Sequence, residues 1–202
     1  MSNIKIFQTK VLLILVLFIC VILFVCFFYY FKINNNTELI ANVVNFSAQE
    51  KSNVSLPVRL KIPNLNIDTS FEFVGLTPDG AMDAPQGPDN VGWFSLGPPP
   101  GEIGSAVIDG HSGYKDNIPA VFDNLYKLEK GDKIYIENEK GETLVFIVRE
   151  LRTYNPRADT LDIFTSSDGK AHLNLITCTG IWNKILKSHS DRLVVFTDLE
   201  VI

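Results

Sequence analysis

The chain has 202 residues, 46% of them hydrophobic and 20% charged, with a net charge of −5. That length suits one domain or at most two small ones, and the apolar share excludes an intrinsically disordered tail. Residues 1–56 hold four of the 18 basic groups and two of the 23 acidic ones, which leaves the remainder with a net charge of −7. Such a surface gives no electrostatic support for binding nucleic acid or anionic lipid headgroups.

Residues 11–31 form a run of 21 without a charge. As a helix this run spans roughly 31 Å, the thickness of the hydrocarbon core of a bilayer. It ends in Phe27-Phe28-Tyr29-Tyr30-Phe31, bulky aromatics suited to the membrane–water interface. A cleaved signal peptide is the competing reading, but its apolar region is about 7–15 residues long and ends in small residues. The sequence therefore predicts an uncleaved transmembrane signal-anchor over residues 11–31. Lys5 and Lys10 precede the run and Lys32 alone follows closely. The positive-inside bias then places residues 1–10 in the cytoplasm and the bulk of the chain outside, a single-pass cell-membrane protein. Residues 32–56, rich in Asn, Ser and Gln, read as a flexible extracytoplasmic linker.

From Pro57 onward the pattern is β-rich. Residues 59–62 and 70–74 alternate, while residues 76–100 are dense in Gly and Pro and read mostly as turns. Residues 105–108 form a short apolar strand. In residues 120–128, Val121, Phe122, Leu125 and Leu128 fall on one face of a predicted helix, which Gly131 stops. Residues 133–138 and 143–151 read as a hairpin, and residues 172–178 and 192–197 supply the last two strands. The expected fold is all-β with one or two short helices, a closed or nearly closed barrel of about eight strands over residues 57–202.

Of the three cysteines, Cys20 and Cys26 lie in the predicted span and only Cys178 in the outer domain. No disulfide framework is available there. Alternation along residues 172–178 turns Leu173, Leu175 and Thr177 to one face, and Cys178, Ile176, Asn174 and His172 to the other. That pattern points the thiol outward toward a groove, with a core cysteine as the alternative. His172 is six residues from Cys178 along one strand, roughly 20 Å, and cannot reach it. His189 sits in a polar segment and reads as a solvated loop histidine. His111 follows the strand at 105–108 between Gly110 and Ser112-Gly113 and is placed to face a cleft; a turn histidine without a role is equally open. Arg192 opens the last strand, with Val194 and Phe196 on its face. If the strands ending near His111 and Cys178 run parallel, with the last strand antiparallel beside the second, then thiol, imidazole and guanidinium meet at one rim. No spacing suggests a zinc site, and the sequence predicts no metal and no cofactor. Trp93, Trp182 and Phe94 pin loops or line a groove, and residues 179–191 read as a groove wall.

The ordered set Gly110-His111, Phe122…Leu125…Leu128…Gly131-Asp132, Leu175-Ile176-Thr177-Cys178 and an arginine 14 residues beyond the cysteine resembles the sortase family. Residues 74–80 and 87–93 are similar to its class F branch in particular. The resemblance implies an eight-stranded barrel and a membrane-anchored cysteine transpeptidase. Such an enzyme cleaves a C-terminal sorting motif of the Leu-Pro-x-Thr-Gly type and joins the acyl group to an amine, anchoring proteins at the cell surface. Its partners are then proteins bearing that signal and an amine from a cell-wall peptide or another protein. Carried over by position, Cys178 is the nucleophile, His111 the acid/base and Arg192 the donor to substrate and oxyanion, with Ile176, Thr177, Val194 and Trp182 as substrate-binding candidates. Two positions depart from the family pattern. Asn174 stands where Thr is common, and Asp109 stands where a small residue such as Ala is common; it reads as a solvated edge carboxylate, with a role in raising the basicity of His111, two residues on along the same strand face, as the alternative. The residues themselves leave two rivals: an extracytoplasmic cysteine peptidase that hydrolyses the acyl-enzyme, and an anchored β-barrel binding module with an incidental thiol.

Overall fold

The computed structural model describes Phe24, Phe27 and residues 55–113, 118–155, 158–183 and 188–201. Apart from Phe24 and Phe27, the predicted span lies outside these residues, as does the linker up to residue 54. Among the described residues no helix is long and apolar enough to cross a membrane.

Eight strands close into a barrel: β1 (Pro57–Ile62), β2 (Ile67–Val74), β3 (Val91–Phe94), β4 (Gly104–Asp109), β5 (Lys133–Asn138), β6 (Thr143–Tyr154), β7 (Ala171–Asn183) and β8 (Ser188–Leu199). Around the barrel the order is β1-β2-β3-β4-β7-β8-β6-β5. Two pairs are parallel, β2 with β3 and β4 with β7, and the remaining neighbours are antiparallel. Alternate residues of the strands fill the interior. Leu60 and Ile62, Ala106 and Ile108, Ile134 and Ile136, Phe146 and Val148, Leu173 and Leu175, and Leu193 and Val195 are all buried in one cluster. Each large side chain enclosed there contributes about 1.5–3 kcal/mol.

Three expectations from the sequence need correction. Residues 76–100, read mostly as turns, contain a strand, β3, that the sequence did not single out. Its Gly92 lies where a Cβ would come within 3.0 Å of Val74 Cγ1 and 3.2 Å of Pro85 Cδ, so the glycine serves close approach inside a strand rather than a turn. Residues 120–128 are turns ending in a 3-10 turn over Leu125–Lys127, not an α-helix. The buried side chains Phe122, Leu125 and Leu128 recur every three residues, which is the period of the tighter helix. The i→i+3 bonds Leu125 N–H to Phe122 O and Leu128 N–H to Leu125 O follow it. Finally, β7 and β8 extend beyond the predicted 172–178 and 192–197. Trp182 pairs with His189 and Asn183 with Ser188 past a register shift. The described parts of residues 179–191 are therefore a strand hairpin, and Ile185 and Leu186 lie outside the described residues.

The outer face of β4, β7 and β8 is also covered. A short helix, α1 (Leu161–Phe164), lays Ile163 over Val107, Val194 and Phe196, with Phe94, Phe164 and Ile176 packed alongside. Asn174, buried beneath it, donates from Nδ2 to the Ile163 carbonyl at 2.6 Å. This second cluster forms the floor of the cavity described next.

Candidate active site

The parallel pairing of β4 with β7 sets Asp109 against Ile176, and the antiparallel pairing of β7 with β8 sets Cys178 directly against Arg192. Two strand ends and one strand start thus meet at one rim. Arg192 is also paired with Tyr154 of β6. Side chains from all these positions open into a cavity of about 650 Å³.

The segment after β4 is seated by backbone bonds. Gly110 N–H donates to Ile176 O at 3.1 Å, and Phe122 N–H donates to His111 O at 2.9 Å. Thr177 Oγ1 donates to Gly110 O at 2.7 Å, and the Ser112 hydroxyl donates to the Cys178 carbonyl. Position 110 requires glycine, because a Cβ there would lie 2.4 Å from Phe122 Cδ2. His111 follows at the cavity wall, its Nε2 2.9 Å from the Pro85 carbonyl. A carbonyl only accepts, so Nε2 carries the hydrogen, and in the neutral ring the lone pair lies on Nδ1.

Cys178 is half-buried. Burial pushes its thiol above the ordinary value; Arg192 opposes that shift and Asp109 reinforces it. Arg192 donates from Nη1 to Asp191 O at 2.9 Å and to His189 O at 3.4 Å, which fixes the guanidinium at the cavity edge. Asp109 is not the solvated edge carboxylate the sequence suggested. It lines the same cavity as His111, Cys178 and Arg192. Burial pushes its carboxyl up to about 6, with His111 and Arg192 pulling the other way.

The rest of the wall is largely apolar. Leu76, Ala81, Met82 and Ala84 line one side, and Phe94, Tyr154, Ile163, Phe164 and Ile176 the other. Of the four predicted groove residues only Ile176 lines the cavity. Alternation turns Thr177 into the barrel core, 2% exposed, and Val194 lies fully buried behind Ile163. Trp182 sits farther out on the hairpin, half-exposed and edge-on to His189 at 5.1 Å. His189 is accordingly a strand residue, not a loop residue. Trp93 is buried in β3 with its indole N–H on Pro98 O at 3.3 Å, and Phe94 packs edge-on against Phe164 at 5.6 Å. His172, at the far end of β7, is held between Asp198 at 2.8 Å and Asp168 at 3.0 Å. Tyr154, Met82 and the α1 pair Ile163-Phe164 were not singled out from the sequence. The only signal for the pair was an apolar doublet in a polar stretch. Among the described residues no three His, Cys, Asp or Glu side chains group to hold a metal ion.

Comparison with known proteins bears on this arrangement. Residues 60–200 match the family model described as a sortase domain. Among solved structures, the chain is similar to sortase C-1 from Actinomyces oris, with 27% identity and a TM-score of 0.57 over 72% of this chain and 76% of that one. It is similar to sortase A from Corynebacterium diphtheriae, with 26% identity and a TM-score of 0.56 over 73% of this chain and 61% of that one. It is also similar to a Clostridium perfringens sortase D5 transpeptidase, with 26% identity and a TM-score of 0.53 over 73% of this chain and 79% of that one. No curated protein sequence matches the chain.

Proposed function

Given that this chain belongs to the sortase family and is a cysteine transpeptidase, we propose that Cys178, His111 and Arg192 are its reacting groups. We further propose that its substrate is a protein ending in a Leu-Pro-x-Thr-Gly-like sorting motif. The observation that carries this reading is the register Cys178↔Arg192 beside the parallel β4–β7 pair, which opens one apolar cavity onto a thiol, an imidazole and a guanidinium.

The cycle has two halves. The Cys178 thiolate attacks the Thr–Gly carbonyl carbon, forming a C–S bond and an oxyanion. Arg192 steadies that oxyanion; donors of this kind are worth about 10²–10³ in rate. The C–N bond then breaks as the His111 imidazolium protonates the leaving glycine amine, and a thioester remains. An incoming amine attacks the thioester, His111 accepts its proton, and the thiolate departs with amide formation. The apolar walls suit the leucine and proline of the motif by burying apolar surface.

The remaining proposals follow the sequence. The run at residues 11–31 supports a single-pass anchor with the barrel outside the cell, where sorted proteins are joined to the surface. The segments at residues 74–80 and 87–93 support the class F branch. Mass analysis of products from the full chain with a sorting peptide and excess glycine peptide tests the reading. The expected result is an amide product that is lost in Cys178→Ala and reduced about 10²–10³-fold in Arg192→Ala. Hydrolysed peptide alone in amine excess contradicts transpeptidation, and wild-type turnover by Cys178→Ala contradicts the whole assignment.

A further inference from the structure

The cavity wall holds a fourth ionisable group near the thiol that the reaction cycle does not use. Asp109 ends β4, in register with Ile176 of β7 and Gly92 of β3. Two residues on from Ile176 along the same face of β7 stands Cys178, and Asp109, Cys178, His111 and Arg192 all line one cavity. Among the described residues that line the cavity, the titratable side chains besides Asp109 are His111, Cys178, Arg192 and Tyr154. From β6 comes Tyr154, whose hydroxyl donates to Asp162 at 2.6 Å. From β3 comes Phe94, and α1 presents Ile163 and Phe164. The cavity-lining residues of segment 76–84 are Leu76, Gly80, Ala81, Met82 and Ala84, none of them charged.

Charges that share one partly enclosed cavity interact more strongly than they would in bulk water. An Asp109 carboxylate attracts the imidazolium and the guanidinium and repels a thiolate. The Cys178 anion draws on Arg192 for its own stabilisation. We propose that Asp109 is a positioning residue that sets the pH range of the nucleophile, because its carboxylate shares the cavity wall with Cys178 and Arg192, repels the thiolate and competes with it for the charge of Arg192. The assignment rests on the reading of Cys178 as nucleophile, but the thiol itself reports it whether or not acyl transfer follows.

A distinctive pH signature results. Burial holds the Asp109 carboxyl near 6, so in more acid solution it is neutral and exerts no pull. Above that pH its charge delays thiol ionisation. Far above the thiol's own titration Cys178 is fully ionised in any case. A neutral residue at position 109 therefore changes thiolate content only in the middle window.

The experiment is iodoacetamide alkylation of the full chain, read at the Cys178 peptide by mass spectrometry from about pH 5 to about pH 10, for wild type, Asp109→Asn and Asp109→Ala. The expected ratio of variant to wild-type rate is near one at the acid end and about three- to tenfold between about pH 7 and 8. It returns toward one at the alkaline end. A tenfold effect corresponds to a displacement of one pH unit. The two variants should agree, since both remove the charge while differing in shape. A ratio of one throughout overturns the proposal. So does a constant offset at every pH, which reports a disturbed wall rather than a removed charge. Unfolding of both variants at neutral pH would make Asp109 a residue of stability alone and would equally overturn it.

Discussion

Substituting Gly110 by Ala tests how the barrel core holds the candidate active site. An ideal Cβ at this position lies 2.4, 2.7 and 2.9 Å from Cδ2, Cε2 and Cγ of Phe122. Carbon atoms in ordinary contact are about 3.5–4.0 Å apart, so either the ring or the strand end must move by about 1 Å. Phe122 is 1% exposed and packed into the main core, and close-packed interiors resist such movement. Overpacking of this kind costs about 1–3 kcal/mol. The displaced strand end carries His111, and the bonds of Gly110 to Ile176 and Thr177 pass the shift toward Cys178. A misplacement of about 1 Å is enough to lower a rate by about 10²-fold. Urea unfolding gives the first quantity and acyl transfer to a glycine peptide the second. Phe122→Leu makes room at its own cost of about 1–2 kcal/mol, so the double variant should be more stable than the sum of the two losses by at least about 0.5 kcal/mol. Strict additivity, or a Gly110→Ala protein indistinguishable from wild type in both assays, refutes the reasoning.

Other expectations follow from the charges. The folded chain keeps a proton on Asp109 up to about pH 6, whereas the model-peptide value is 3.8. Stability attributable to this group therefore falls as pH rises through that window, by up to about 3 kcal/mol. Urea midpoints of wild type and Asp109→Asn should diverge between about pH 4 and pH 6 in favour of the variant; parallel curves contradict this. Arg192 counters the upward shift of the Cys178 thiol, so Arg192→Ala should slow alkylation of Cys178 several-fold near pH 8, and an equal or faster rate contradicts it. His172→Ala removes the bonds to Asp168 and Asp198 and should lower the urea midpoint. It should leave acyl transfer intact while folded, since six strand residues, roughly 20 Å, separate it from Cys178; a folded but inactive variant contradicts this.

The sequence foretold most reliably what depends on a two-residue period. Alternation along β7 and β8 assigned Leu173, Leu175 and Thr177 to the core and put Cys178 and Arg192 on the opposite face, as the register has it. It failed where short apolar runs lack a period. The four residues of β3 carry a glycine demanded by Val74 and Pro85, contacts that are distant in the chain. Residues 120–128 bury Phe122, Leu125 and Leu128 of the four expected side chains and cover Val121 only in part, with a three-residue repeat that a helical-face reading does not separate from an α-helix. The environment of Asp109 was illegible for another reason. A carboxylate at a strand end is ordinarily solvated, whereas α1 and segment 76–84, distant in the chain, cover the outer face and line the cavity that Asp109 shares. The same covering explains Val194, which alternation assigned to the groove face without revealing that Ile163 lies on top of it.

The most direct measurement is the intact mass of the full chain mixed with a Leu-Pro-x-Thr-Gly peptide in the absence of any amine and quenched in acid within one turnover. The account predicts an added mass equal to the peptide through its threonine, located on Cys178 and discharged by later addition of a glycine peptide. An unmodified chain under conditions where the peptide is consumed, or the same adduct on Cys178→Ala, would contradict it.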